Sequence, residues 1–257
     1  MTIWSFKLVN VALRCTNGHE VVLSQPLKLT FQGSAIEVTG AREANSRKIR
    51  AALISAGADL LGQYPIDAIT INQIVDNAGV AKGSFYNHFA DKESLAATVS
   101  TAIREEVEQK IRDSNRNVTD PAYRMARGIC HHLRLAVIQP KRAAIMLRSA
   151  ELATSGDYAL NRHIQRDIED GIATGRYHAG CEDAGIIVVM GTTMALMLRI
   201  IEQGLDVEQT IELTAKTLAL VLGGFGLQAE EALRIVTDSA RDIIAGSDTD
   251  SSNGRNS

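Results

Sequence analysis

The chain has few cysteines: Cys15, Cys130 and Cys181 are widely spaced and form no C-x-x-C pair. That usage argues against a disulfide framework and fits a reducing cytoplasm. Cys130 beside His131 and His132, and His178 near Cys181, carry ligand chemistry but lack structural-zinc spacing, so no metal is expected. Aromatics make up only 4% and there are four prolines, which fits long helices packed mostly with aliphatic side chains. Strong charge is missing too: the net charge is −3 and the pI near 6.1, against a broadly basic nucleic-acid coat protein. Between residues 42 and 92 the cations Arg42, Arg47, Lys48, Arg50, Lys82 and Lys92 nearly balance Glu43, Asp59, Asp67, Asp76 and Asp91. Any nucleic-acid contact in this stretch would have to come from a few placed groups. The uncharged run Ala184–Leu198 is too short and too rich in Gly and Thr for a membrane span of about twenty residues, so it reads as a buried helix with no membrane partner. No nucleophile with its base and no paired Glu-x-x-His pattern is found, and the GGFG stretch from Gly223 to Gly226 is too short for a phosphate loop. Neither enzyme activity nor a cofactor is expected.

What is present is concentrated in Thr70 to Leu95, TINQIVDNAGVAKGSFYNHFADKESL. Thr70 and Gln73 have capping-box spacing, and Ile71, Ile74, Val75 and Ala78 form an apolar face. Gly79 can take the left-handed conformation that ends a helix. A second helical segment is expected from Ala81 to Phe89 after the short turn of a helix-turn-helix, with Asp91 capping the next helix. At about 100° per residue, Phe85 and Phe89 point inward with Ala81 alongside. Gly83 and Asn87 stand opposite, flanked by Ser84 and Tyr86, with Lys82 and His88 nearer the edges. Asn87 can pair in two places with an adenine edge, Ser84 can donate or accept, and Lys82, Tyr86 and His88 suit phosphates. Gly83 costs about 1 kcal/mol of helix propensity relative to Ala, which suggests close backbone approach to another surface. The competing reading is an ordinary solvated helix face.

The run from about Arg47 to Leu95 resembles the DNA-binding domain of the tetracycline-repressor (TetR) family of bacterial regulators. The match comprises Arg50 with AALISAGADLL, then TINQIVDNAGV, then AKGSFYNHFADKESL. Pro65 departs from it, standing where the family usually has a glycine, but still makes a helix-ending turn. The resemblance implies an all-α fold with an N-terminal helix-turn-helix and a C-terminal helical ligand-binding and dimerisation domain. The DNA-binding candidates are then Arg50, Thr70, Lys82, Gly83, Ser84, Tyr86, Asn87, His88 and Lys92. Lys92, in the first turn of the fourth helix, is expected to hold a phosphate together with free backbone N–H groups. The implied partners are a double-stranded DNA operator, a second copy in a homodimer and an unknown small-molecule effector, with repression the family default.

Around this unit, residues 1–43 read as an extension, irregular or at most a marginal hairpin about Asn17-Gly18. Lys7 and Arg14 interrupt its apolar stretch, so it is no secretory signal. The expected divisions are 44–92 for the helix-turn-helix, 93–245 for the regulatory domain and 246–257 for a disordered tail. Helices are predicted near 92–113, 121–138, 141–153, 157–174, 182–203, 207–222 and 228–244. The pair 182–203 and 207–222 is apolar over more of its circumference than a surface helix needs, with Gly191, Ala195, Ala215 and Ala219 permitting close approach. It is either buried inside a monomer or meets its copy in a four-helix dimer interface. Met125, Met146, Met190, Met194 and Met197 are core residues or adaptable pocket lining, and no effector-binding residue is assigned.

Overall fold

The computed structural model describes residues 36–148 and 162–246, and among them every regular element is helical. In chain order these are α1 (Ile36–Leu61), a 3-10 turn (Ile66–Ala68), α2 (Ile71–Ala78), α3 (Lys82–Tyr86), α4 (Lys92–Ser114) and α5 (Pro121–Ile138). Then follow α6 (Pro140–Arg148), α7 (Arg162–Ala173), α8 (Glu182–Gln203), α9 (Val207–Gly224) and α10 (Ala229–Ile244). The expected hairpin about Asn17-Gly18, the tail beyond Gly246 and the stretch joining α6 to α7 lie outside the described residues.

Local chemistry sets most boundaries. Asp120 accepts from the Ala122 N–H at 2.8 Å with Pro121 in the first turn of α5. Asp206 and Gln209 form a reciprocal capping box on α9. α8 ends on Gly204 at φ 59°, a left-handed position that a glycine enters without a Cβ clash.

Three expectations need correction. The stretch 36–43, read as irregular extension, is the start of α1; adding turns to an existing helix avoids the cost of nucleation. α3 spans five residues rather than Ala81 to Phe89, because both the His88 and Phe89 N–H groups donate to Phe85 O at 2.9 Å, and the chain tightens into a turn. Ala81 is consequently an exposed N-cap and not an anchor. α9 continues to Gly224, so the GGFG break falls at Phe225 and Gly226.

The described residues from Ala44 onward belong to one compact unit. Its first portion closes over Leu53, Ile69, Ile74, Val75, Phe85, Phe89 and Leu95, all buried. Leu95 of α4 fills the space beside Gly57 of α1, where an added Cβ would stand 2.9 Å from Leu95 Cδ2. α4 then runs on into the bundle, against α5 and α6. α5 is the central post, touching α4, α6, α7, α8, α9 and α10, with Ala122, Met125, Ala126, Ile129, Cys130 and Leu133 buried. Each aliphatic side chain of Leu size buried there contributes about 1.5–3 kcal/mol. Ion pairs staple the rim: Arg124 meets Asp167 and Asp170 at 2.6 Å each, and Arg176 bridges Asp120 and Glu231.

The expectation that Ala184–Leu198 is a buried helix holds for one face only. Ile186, Val189, Leu196, Met197 and Ile200 of α8 are buried, whereas Ile187, Val188 and Leu198 remain 57%, 47% and 49% exposed. Leu220 of α9 is 78% exposed. Among the described residues, the α8–α9 pair is therefore not buried all round. By length and composition α8 could cross a membrane, but its inward face is core to the bundle.

Candidate DNA-reading surface

The surface rests on two capped helices. The Thr70 N–H donates to Gln73 Oε1 at 2.8 Å and the Gln73 N–H donates to Thr70 Oγ1 at 3.3 Å, the reciprocal pattern expected for the start of α2. α2 buries Ile74 and Val75 and stops at Gly79, φ 64°. Asp91 and Ser94 make the corresponding box at the start of α4.

Between them α3 is held from below. Phe85 is fully buried, with its ring 5.5 Å from Tyr86 and 5.8 Å from Phe89. The Arg50 guanidinium sits 5.4 Å over the Phe89 ring, which fixes α1 against this end of the reading unit and leaves Arg50 exposed. The outward set is Lys82, Gly83, Tyr86 and Asn87, all exposed, with Ser84 and His88 partly buried. Asn87 follows the last helical residue instead of lying inside the helix. At Gly83 an added Cβ would meet nothing within 4 Å, and its φ is not left-handed, so neither packing nor backbone conformation requires a glycine there.

Thr70, Lys82, Tyr86 and Lys92 share one open cleft of about 430 Å³, with Ile69, Ile71, Asn72, Asp91 and Glu93 completing its wall. The N-termini of α2 and α4 both border it, offering unpaired N–H groups to an anion. Asn72 is a polar member that the sequence reading passed over; its place two residues after the Thr70 cap is the signal. The Lys92 side chain is engaged within the protein. Its ammonium donates to Ile66 O at 2.9 Å and Ile69 O at 3.1 Å, with Asp67 O farther away at 3.5 Å.

Residues 53–99 match the bacterial regulatory proteins of the tetR family, and residues 120–238 match the tetracyclin repressor-like C-terminal domain. The chain belongs to the TetR family. The HTH-type transcriptional regulator LmrA of Bacillus subtilis (strain 168) is 36% identical over 74 residues, 28% of this chain and 39% of LmrA. The chain thus aligns with well under half the length of that relative. In three dimensions it resembles RolR, solved with resorcinol, at 24% identity and a TM-score of 0.59, over 76% of this chain and 96% of RolR. The fatty acid degradation regulator FadR of Bacillus halodurans superposes with a TM-score of 0.55 at 17% identity, over 70% of this chain and 97% of FadR. These likenesses concern the fold.

Within this TetR-family fold, the polar side chains and methionines of the bundle have differing surroundings. Tyr123 is half-buried against the core, with its hydroxyl near Asp238 and Arg234. Arg148 donates to Leu61 O at 3.1 Å, and Thr193 donates back to Val189 O. Met125, Met146 and Met197 are core. His131 Nε2 meets Ser114 Oγ at 2.8 Å, and burial lowers its pKa to about 4, so it is neutral. His132 is held through Nδ1 to Gly128 O at 3.0 Å, and burial likewise lowers its pKa. Burial pushes the Cys130 thiol up to about 12, which makes it inert. The sequence reading missed Glu108 of α4, which is buried with its carboxylate 3.1 Å from His163 Nδ1 of α7. Burial raises its pKa to about 7, against the opposing pull of Arg112 and Arg104. Its place one helical turn after Arg104 and beside the stripe Ile103, Val107, Ile111 is the available signal.

Proposed function

We propose that the chain is a sequence-specific transcriptional regulator that binds an inverted-repeat operator as a homodimer, represses, and is released by a small molecule. The observation that carries this reading is the outward set of α3: small and polar residues over an aromatic base, between two capped helix N-termini, with a glycine that the protein itself does not need. Asn87 and Ser84 supply base contacts, and Lys82, Tyr86, His88, Thr70 and Arg50 supply backbone contacts. It works as a binding protein in the cytoplasm and not as an enzyme.

The exposed apolar face of α8 with Leu220 of α9 supports the homodimer. Aliphatic side chains about half exposed or more on adjacent helices gain most by meeting a copy of the same face. Exposed Gly191 and Ala195 on that face permit close helix approach. A twofold axis there presents two α3 segments to half-sites about 34–36 Å apart, or a multiple of that. The effector domain is the bundle built around α5. RolR is solved with resorcinol, a small molecule, which supports a ligand of that size class entering this chain's bundle. The ligand need only favour the wrong spacing of the two reading units, and each tenfold preference shifts the balance by about 1.4 kcal/mol.

The test is selection of bound duplexes from a random DNA pool at near-physiological salt, followed by sequencing. An enriched inverted repeat is the expected result. Binding without enrichment would favour the alternative of a nonspecific, nucleoid-type DNA binder, since a regulator discriminates by roughly a thousandfold or more.

A further inference from the structure

We infer that Lys92 is a positioning residue that holds the entrance of the helix-turn-helix in place, and not a phosphate ligand; this rests on the DNA-binding reading above. An ammonium group has three N–H donors and no acceptor. At Lys92 the ammonium donates to Ile66 O and Ile69 O, 2.9 and 3.1 Å away, with Asp67 O a weaker partner at 3.5 Å. A DNA phosphate would have to compete with these carbonyls for an ammonium already held by two short hydrogen bonds. Lys82 borders the same cleft, is exposed, and makes no hydrogen bond or ion pair among the described residues, so it is the cation left for a phosphate.

The three carbonyls belong to the 3-10 turn and to the residue that follows it, immediately before the Thr70 cap. Ile66 and Ile69 anchor that turn to the core by packing, but its own hydrogen bonds are few. Its N-cap is Pro65, which has no N–H and no side-chain cap, and its own bonds are Ala68 N–H to Pro65 O and Ile69 N–H to Ile66 O. The Lys92 side chain therefore ties the first residue of α4 to the segment that launches α2. The tie fixes the distance between the two helix N-termini that border the cleft, and with it the direction in which the free N–H groups of α2 point. Removing the ammonium leaves the partly buried Ile69 O without that donor and Ile66 O with the Ile69 N–H alone, and the turn then shifts to reach water.

The test uses the full-length protein and the duplex that wild type enriches from the random pool. Affinity is measured over a range of salt for wild type, Lys92→Met, Lys92→Gln and Lys82→Met, at a temperature where circular dichroism shows each variant fully folded. Hydrogen exchange of the Ala68, Ile69 and Gln73 amides is followed in the free protein. Lys82→Met is expected to reduce the slope of log affinity against log salt by about 0.9, the value for one lost phosphate contact. Lys92→Met should lower affinity by roughly tenfold at every salt with the slope unchanged, the size of one or two misplaced hydrogen bonds, and should speed exchange at the three amides. Lys92→Gln, a neutral donor, should recover part of that affinity. A slope reduced by about one in both Lys92 variants, with exchange unaltered, would overturn the inference and make Lys92 a phosphate ligand. Unchanged affinity in folded Lys92→Met would overturn it in favour of a purely stabilising role. Failure of wild type to enrich or bind any duplex would instead remove the DNA-binding reading, and this inference with it.

Discussion

Replacing Gly83 with alanine should make the protein more stable and a poorer DNA binder. Glycine in a helix costs about 1 kcal/mol relative to alanine, and less near an end, so a gain of about 0.5–1 kcal/mol is expected at the second residue of α3. Nothing inside the protein opposes the new methyl group, since no atom lies within 4 Å of its position. Gly57 behaves differently, because its Cβ would press on Leu95. For a domain of this size the gain raises the melting temperature by about 1–4 °C, measurable by scanning calorimetry. On DNA the same methyl group occupies space that the duplex needs; overpacking a close contact costs about 1–3 kcal/mol, so operator affinity should fall by roughly tenfold or more. Opposite signs for stability and affinity are the signature. If the variant melted lower, glycine would serve the fold; if it bound the operator as well as wild type, Gly83 would not lie against DNA.

Other consequences can be checked independently. Leu220→Glu places a charge on the proposed α8–α9 interface while leaving a 78% exposed position in the single chain, so light scattering should report a monomer mass with little change in helicity; a persistent dimer would move the interface elsewhere. Asn87→Ala should cost about 1–3 kcal/mol of operator affinity and relax base preference, read by repeating the selection. If preference were untouched, the assignment of the reading face would be wrong. Glu108 binds its proton more tightly folded, with pKa about 7, than unfolded, near 4.5, so folding takes up protons between these values. Its stabilising contribution is present below about pH 4.5 and is lost as the pH rises to about 7, and Glu108→Gln should flatten that part of the profile by at most about 3 kcal/mol in denaturant titrations. Thr214 Oγ1 is buried without a partner, as are Thr210 Oγ1 and Ser239 Oγ. Thr214→Val should therefore stabilise by about 1 kcal/mol in urea unfolding, and destabilisation would imply a water bound at that hydroxyl.

Much of the architecture was legible because the signals are short-range. A cap is satisfied within three residues, so Thr70 with Gln73, Asp91 before α4 and Gly79 mark their boundaries from sequence alone. Glycine and proline act on their own backbone, and the breaks at Asn115 to Asp120 and at Gly204 fall where they were expected. The 3.6-residue pattern likewise placed Phe85 and Phe89 in the core. The sequence alone thus determined the helix order, the helix-turn-helix and the residue types on its outer surface.

Tertiary structure decided what those residues meet. Phe89 lies beyond the end of α3, buried beside Phe85 and under the Arg50 guanidinium of α1, a contact that no pattern within α3 encodes. The direction of the Lys92 ammonium depends on carbonyls more than twenty residues away in sequence. The free face of α8 exists because α5, α6, α7 and α9 cover only one side of a helix whose composition is apolar nearly all round. Glu108 acquires its raised pKa only when α4 and α7 enclose it. Caps and turns are local energies, readable in a few residues. Burial, side-chain direction and the faces left uncovered are properties of the packed assembly of helices.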